Sequence, residues 1–192
     1  MNIKKIGLDF GGVIGNHLVV KSALVYELFG LRVEPNKEAT RSMLLPRLGN
    51  GEYERLAGKI GSKYKEIPLH DQALAVMTRM VNRGQELVII SMQHVIGAAE
   101  LCEYVSMHGL PISSDNVCIV RTNEEKLNVA KAKDVSLYMD DNTFVLRLLE
   151  PLGIPLIWAN FSDLLVAENN GHHVVTSWQE FESLVEKLSG RG

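Results

Sequence analysis

The sequence of 192 residues has few cysteines, no excess of positive charge and no long apolar run. Its two cysteines, Cys102 and Cys118, have neither the number nor the spacing of a disulfide framework, so we expect both to be reduced. A net charge of −3 at pH 7 gives no polybasic surface for nucleic acid or for an anionic membrane. The expected partner is therefore a small molecule.

The amino-terminal segment lacks the apolar stretch of a signal peptide, and no window approaches the ~18 apolar residues of a membrane span. These two absences lead us to expect a soluble, cytoplasmic protein. The length suits either one domain with a sizeable core or a core domain that carries a small insert. Nothing in the sequence indicates the oligomeric state.

Residues 4–14, KKIGLDFGGVI, form an apolar run that stops at an aspartate followed by two glycines. The apolar residues predict a short strand, and Gly11 and Gly12 predict a tight turn that brings backbone N–H groups close to Asp9. Asp9 then lies at the carboxyl end of a strand, which is the edge where open α/β sheets bind ligands. An ordinary turn aspartate is the alternative for this stretch considered alone.

Beyond this turn the sequence divides into a helical part and an alternating part. Helical patterns at residues 18–29, 35–45, 52–60 and 69–82 include no convincing strand. Strands are then predicted at 86–90, 117–120, 135–139, 155–159 and 173–176, and helices at 98–108, 124–132, 143–152 and 178–188.

This division predicts both the fold and the domains. Alternating strands and helices are typical of a parallel sheet covered on both faces, so we expect a three-layer, Rossmann-like α/β core. The core would comprise residues 1–14 and 84–192. Residues 15–83 would form a small helical cap inserted between the first strand and the second.

Polar side chains follow three of the predicted strands. Asp9 ends the first, Ser91 ends the second, and Asp140 with Asp141 ends the fourth. In a parallel sheet all of these residues lie at one edge, and Lys126 opens a helix from which it could reach the same edge. Other interpretations are a turn-forming Ser91 and a helix N-cap at the acidic pair, while Lys126 could be solvated.

The order of these residues resembles the motifs of the haloacid dehalogenase superfamily of aspartate-nucleophile phosphohydrolases. Asp9 in KKIGLDFGGVI is similar to the first motif, Ser91 in ELVIIS to the second, Lys126 in NEEKL to the third, and Asp140 with Asp141 in LYMDDN to the fourth. The resemblance spans nearly the whole chain. It also implies a C1-type helical cap at the position of the predicted insert.

The resemblance implies a metal site. Its ligands would be Asp9, the backbone carbonyl of Gly11, and Asp141 with or without Asp140. A phosphate monoester would bring further negative charge to these carboxylates, so attack by a carboxylate needs a cation that offsets the repulsion. Mg²⁺ is the expected cation because it prefers carboxylate and carbonyl oxygens.

The resemblance also implies hydrolysis of a small phosphate monoester, such as a sugar phosphate or a nucleotide. Asp9 would attack phosphorus and form an aspartyl phosphate. Ser91, the backbone N–H of Met92 and the glycine turn at Gly11 and Gly12 would bind the phosphoryl group. The remaining charge would be neutralised by Lys126, and Lys131 and Lys133 are the alternatives for that role.

Gly11 departs from the usual pattern, in which a second aspartate stands two residues after the nucleophile. That aspartate is a general acid and base, a role that contributes roughly 10²–10⁴ in rate. His17 is a candidate replacement, with a surface or hinge position as the alternative. The acid expected shortly after Asp141 is also missing, which predicts weaker metal binding.

Two other predictions concern the cap and the function class. Arg41, Arg47 and Arg55 could contact a second anionic group, although basic residues on amphipathic helices are usually solvated. The predicted function is a Mg²⁺-dependent phosphatase whose activity is reduced by Gly11. The alternatives are, first, a catalytically weak or inactive protein that uses this fold to bind a ligand or protein and, second, a dehalogenase-like hydrolase.

Overall fold

The computed structural model describes residues 2–93, 96–162 and 171–190. In this part of the chain six strands form one sheet, and every neighbouring pair is parallel. The strands are β1 (Lys5–Leu8), β2 (Glu86–Met92), β3 (Val117–Val120), β4 (Leu137–Asp140), β5 (Leu156–Ala159) and β6 (His173–Val175). Their order is β3-β2-β1-β4-β5-β6, so the strand order reverses between β1 and β4. A ligand crevice forms where such a reversal occurs.

Helices connect the strands and cover the sheet. They are α1 (His17–Phe29), α2 (Arg41–Leu48), α3 (Asn50–Ser62), α4 (Ala73–Asn82), α5 (Ala98–Met107), α6 (Asn123–Ala132), α7 (Thr143–Leu149) and α8 (Trp178–Leu188). Short 3₁₀ turns lie at Lys37–Ala39, Tyr64–Glu66, Ser114–Asn116 and Glu150–Leu152. Among the helices of the described residues, none is long and apolar enough to cross a membrane.

Alternate residues of β2 face opposite sides of the sheet. Leu87 and Ile89 belong to the larger apolar cluster, which includes residues of α1, α4, α5 and α8. Val88 and Ile90 belong to the second cluster, with residues of α6 and α7. This period of two on a sheet buried on both faces confirms the three-layer α/β core.

Gly7 allows the strands at the centre of the sheet to be crossed by an aromatic ring. A Cβ atom on Gly7 would lie 2.4 Å from Cδ2 of Tyr138, a residue of β4. The Tyr138 hydroxyl donates a hydrogen bond to the Ile90 carbonyl at 3.0 Å. The ring therefore spans from β4 to β2 over β1 through the space that Gly7 leaves.

The structure corrects three predicted helices. Residues 35–45 form the turn Lys37–Ala39 and then an extended residue, Thr40, so that α2 begins only at Arg41. Helix α4 begins at Ala73 rather than at residue 69, after Gln72 in a left-handed conformation. Helix α7 ends at Leu149, because the following proline cannot donate to the helix ladder.

The helices between β1 and β2 do not share one environment. Helix α3 packs against both α1 and α2, whereas α4 packs against β2 and α8. Arg79 of α4 and Arg83, which directly follows α4, both form ion pairs with Glu182 of α8. The division into a core and an insert of residues 15–83 stays a prediction.

The two ends of this helical segment run side by side. The N–H of Asn16 donates to the Pro68 carbonyl at 2.7 Å, and the N–H of His70 donates to the Ile14 carbonyl at 2.9 Å. Gly15 also forms an antiparallel bridge with Leu69. These bonds bring residues that are more than fifty positions apart to the same point beside the turn after β1.

Candidate active site

Three carboxylates meet where the strand order reverses. The N–H of Asp9 donates to the Met139 carbonyl at 3.0 Å, which aligns the end of β1 with the end of β4. Asp140 is the last residue of β4, and Asp141 follows it. One oxygen from each of Asp9, Asp140 and Asp141 lies within 4.8 Å of the others. The sheet thus assembles the acidic cluster that the sequence predicted.

Lys126 of α6 bridges two of these carboxylates, Asp9 and Asp140. Its Nζ atom is 3.0 Å from Asp9 Oδ1 and 2.8 Å from Asp140 Oδ2, and its side chain is buried. The alternative Lys133 instead donates to the Asp115 carbonyl at 2.5 Å, and Lys131 is exposed. Of the three lysines considered, Lys126 is the one that contacts the predicted nucleophile, although its role stays a prediction.

The acidic cluster carries more negative charge than Lys126 offsets. Burial raises the pKa of Asp140 to about 6, with Lys126 opposing and Asp9 reinforcing the shift. Burial, Asp140 and Asp9 hold the pKa of Asp141 well above its usual range. Burial alone would lower the pKa of Lys126, but Asp140 and Asp9 outweigh it and raise that pKa. A divalent cation held by hard oxygen ligands fits this donor set.

Gly12 makes room for Asp141. It has a φ of +80°, and a Cβ atom there would lie 2.2 Å from Asp141 Oδ2. Its N–H donates to the Gly15 carbonyl at 2.9 Å. That donor is therefore engaged within the turn, and the role of Gly12 in phosphoryl binding stays a prediction.

His17 faces the place where Gly11 has no side chain. A Cβ atom on Gly11 would lie 3.6 Å from His17 Nδ1. This nitrogen is buried and has no hydrogen-bond partner among the described residues. Burial, together with Lys21 and His70, lowers the pKa of His17 well below its usual value. The imidazole is therefore neutral at pH 7 and is not a solvated surface group.

His70 lies near His17 because the two ends of the helical segment run side by side. Its ring packs edge-on against Phe161, with centroids 4.9 Å apart. Burial lowers the pKa of His70 to about 4, and a hydrogen bond to the Gly12 backbone opposes this shift. Two neutral imidazoles therefore stand beside the glycine turn at neutral pH.

A cavity of about 840 Å³ lies beside this site, and Asp141 is the residue of the acidic cluster that lines it. His17, Lys21, Arg41 and Tyr53 contribute to its wall from the helical side, and Gly12, Asp141 and Trp158 contribute from the sheet side. Its volume suits a small metabolite. The Trp158 indole N–H donates to the Asp141 carbonyl at 3.2 Å and fixes the backbone at the cavity floor.

Ser91 and Met92 occupy the expected edge of β2 but do not line this cavity. Ser91 is buried, and its hydroxyl oxygen accepts a hydrogen bond from Gln93 Nε2 at 3.1 Å. Their assignment to phosphoryl binding stays a prediction. The same is true of the roles given to Asp9, Gly11, Gly12, Lys126 and the acidic pair.

Sequence reasoning missed Lys21 and His70. Lys21 is the one charged residue in a mostly apolar stretch of α1, LVVKSALV, and a charge on a buried helix face is a signal that could have identified it. His70 gives no such signal. Its position follows from the pairing of the two chain ends, which no local pattern reveals.

Solved structures with the haloacid dehalogenase-like fold match nearly the whole chain. A haloacid dehalogenase-like protein of unknown function from Agrobacterium tumefaciens is 13% identical, over 98% of this chain and 100% of its own, with a TM-score of 0.69. A HAD hydrolase from Bacillus subtilis, described as bound to magnesium, is 10% identical over 96% and 99% of the two chains, with a TM-score of 0.66.

A third match is a HAD family hydrolase from Deinococcus radiodurans with bound phosphate and sodium. It is 13% identical over 98% of this chain and 97% of its own, with a TM-score of 0.66. No protein-family model and no curated protein matches the sequence. At these identities the structural matches establish the fold: this chain has the haloacid dehalogenase-like hydrolase fold that its motifs predict.

Proposed function

We propose that this protein is a Mg²⁺-dependent phosphatase that hydrolyses a small phosphate monoester through Asp9. The observation that carries the proposal is the contact of Lys126 with both Asp9 and Asp140, at 3.0 and 2.8 Å, beside Asp141, which lines a cavity of metabolite size. The fold and the acidic cluster support a hydrolase with a divalent cation. The phosphate specificity is the part that we propose.

Asp9 is oriented for attack by its contact with Lys126. Because Oδ1 accepts from Lys126, Oδ2 is the oxygen that we assign to attack on phosphorus. The new bond is an acyl phosphate, and the bond that breaks joins phosphorus to the ester oxygen, which leaves with the alcohol. Lys126 keeps its charge throughout and offsets part of the negative charge of the phosphoryl group.

The acidic residues divide into metal ligands and positioning residues. Both oxygens of Asp140 already accept hydrogen bonds, from Lys126 at 2.8 Å and from the Asn142 N–H at 3.0 Å. Asp140 therefore holds Lys126 in place. We assign Asp9, Asp141 and the Gly11 carbonyl to a magnesium ion, whose charge would offset that of the phosphoryl group.

His17 is the group that we assign to proton transfer in the absence of a second aspartate. Its neutral, unpartnered Nδ1 can accept a proton from the water that hydrolyses the aspartyl phosphate. That step releases orthophosphate and regenerates the Asp9 carboxylate. Without an aspartate to protonate the alcohol, the first step favours substrates with good leaving groups.

Phosphate release tests the proposal. The native protein and Asp9→Asn are assayed with aryl, sugar and nucleotide monophosphates, each with Mg²⁺ and with a chelator. Turnover that disappears in Asp9→Asn and in chelator supports the phosphatase. Equal release by both proteins across the panel would overturn it.

Gly11 also favours a second candidate, a protein that binds its ligand without turning it over. Ligand binding by a native protein that releases no phosphate would support this candidate. Halide release from a short haloacid would instead indicate the dehalogenase-like alternative.

A further inference from the structure

Lys21 is a buried cation that has no ion-pair partner among the described residues. Its side chain lies on the inner face of α1, is only 5% exposed and lines the cavity. No carboxylate of the described residues forms an ion pair with it. An unpaired buried ammonium group destabilises a folded protein, so its presence calls for a ligand or a function.

Lys21 and Arg41 both lie against one aromatic ring, that of Tyr53. The Lys21 Nζ is 6.0 Å from the centre of the Tyr53 ring, and the Arg41 guanidinium carbon is 5.7 Å from the same centre. Burial lowers the pKa of Lys21 to about 8, with Asp141 opposing and Arg41 reinforcing the shift. Lys21 therefore stays charged at neutral pH, and two neighbouring cations face one space.

The cavity wall has opposite charges on its two sides. The charged residues of the helical side are Lys21, Lys37 and Arg41, and Asp141 is the acidic residue that the sheet side contributes. Arg47 and Arg55 do not line the cavity, and Arg55 forms an ion pair with Glu52 at 3.1 Å. Of the three arginines considered from the sequence, Arg41 is the one that remains a candidate.

We propose that Lys21 and Arg41 bind a second anionic group of the substrate, which is therefore a phosphate monoester that also carries a carboxylate or a second phosphate. The inference rests on the proposed function for the phosphoryl group at Asp9. A molecule with two anionic groups would contact the acidic cluster's metal site with one group and this cation pair with the other. A molecule with one anionic group would make only the first contact. An anion between Lys21 and Arg41 also removes their mutual repulsion.

Matched compounds test this subsite. 3-Phosphoglycerate is compared with glycerol 3-phosphate, which replaces the carboxylate, and glucose 1,6-bisphosphate is compared with glucose 6-phosphate. In at least one pair, we expect kcat/KM of the native protein to be tenfold or more higher for the compound with two anionic groups. The pair that shows the preference identifies the second group as carboxylate or phosphate. No preference in either pair would overturn the proposal.

Substitutions then connect the preference to these residues. Lys21→Met keeps the side-chain length but removes the charge. It should abolish the preference by raising KM for the compound with two anionic groups. Lys21→Arg should restore part of the preference. Lys59→Met, on the exposed side of α3, is the matched control and should leave the preference intact. A preference that survives Lys21→Met in a folded protein would contradict the assignment.

Two readouts separate this inference from the phosphatase proposal. p-Nitrophenyl phosphate has one anionic group, so its Asp9-dependent turnover reports on the phosphatase alone. Titration calorimetry of the same pairs with Asp9→Asn reports on the subsite without turnover. Turnover of the aryl ester with equal binding of both members of each pair rejects the subsite alone. If the compound with two anionic groups binds more tightly but the native protein turns over none of the substrates, the phosphatase alone is rejected.

Discussion

The Nδ1 atom of His17 lies 3.6 Å from the point where Gly11 would carry a β-carbon. This is an ordinary van der Waals distance, so the backbone there accepts a side chain. Gly12 differs, because a β-carbon at that position would lie 2.2 Å from Asp141. Glycine is therefore required by the geometry at Gly12 but not at Gly11, where the missing side chain affects chemistry rather than folding.

The first prediction restores the missing carboxyl group. Gly11→Asp should fold normally and raise kcat for alkyl phosphates by about tenfold or more, because a general acid contributes roughly 10²–10⁴ in favourable cases. The gain should be small for p-nitrophenyl phosphate, whose leaving group needs no proton. Gly11→Asn is the matched control, and equal rates for the two variants would contradict the prediction.

The second prediction concerns the neutral histidine. His17→Gln should lower kcat by about 10- to 100-fold by slowing hydrolysis of the aspartyl phosphate. With p-nitrophenyl phosphate, rapid-mixing experiments should then show a burst of nitrophenol followed by slow turnover. His173→Gln alters an exposed histidine of β6 and should not change the rate. Loss of activity without a burst would assign His17 to another step.

These predictions differ in how far the sequence supports them. Strand patterns and terminal polar residues predicted the parallel sheet and the meeting of Asp9 with Asp140 and Asp141, because a parallel sheet brings strand ends together whatever their separation in sequence. Lys126 was predicted among three lysines, and the ion-pair distances distinguish it. The sheet and the residues at its strand ends could be predicted because the pattern of each strand, and the order of the strands along the chain, can be read directly from the sequence.

The cavity was not predictable in the same way. His70 reaches the site through hydrogen bonds between residues 14–16 and 68–70, which depend on how the helical segment folds back. Lys21 is a single charge within an apolar helix face, and its burial depends on the helices packed around it. The start of α2 at Arg41 was also missed, because Thr40 adopts an extended conformation within a pattern that reads as helical.

The third prediction tests metal binding through stability. Mg²⁺ at about 100 times its dissociation constant should stabilise the native protein by roughly 2.7 kcal/mol, since a ligand that binds only the folded state shifts the unfolding equilibrium. Asp141→Asn should abolish this stabilisation and should itself raise Tm without metal, because it removes a buried carboxylate surrounded by like charges. Equal Mg²⁺ stabilisation of both proteins, measured by thermal unfolding, would contradict the ligand assignment.

The fourth prediction concerns the packing at the centre of the sheet. Gly7→Ala would place a β-carbon 2.4 Å from the Tyr138 ring, which is buried and bonded to Ile90 through its hydroxyl. The ring cannot move freely, so we expect a loss of about 1–3 kcal/mol in the free energy of unfolding. Gly58→Ala in α3, where a β-carbon would meet no atom within 4 Å beyond its chain neighbours and the helix backbone, should be neutral or stabilising by about 0.5–1 kcal/mol. Urea unfolding measures both, and equal effects would refute the packing argument.

The last prediction is a loss of stability in acid that depends on His70. The pKa of His70 is about 4 in the folded protein, against about 6.5 in an unfolded chain. Between these values the unfolded state binds more protons than the folded state. The contribution of His70 to the free energy of unfolding therefore rises with pH through this window and reaches its full value above it. The native protein should therefore lose about 2 kcal/mol from this group between pH 7.5 and pH 5.

His70→Phe removes the titrating group while keeping a ring in contact with Phe161. We expect the fall in its free energy of unfolding between pH 7.5 and pH 5, measured in urea, to be about 2 kcal/mol smaller than the fall in the native protein. His17 shifts in the same direction, so part of the acid sensitivity should remain in the variant. His173→Phe, at an exposed position, should keep the native pH dependence. A pH dependence unchanged by His70→Phe would show that His70 does not resist protonation in the folded state.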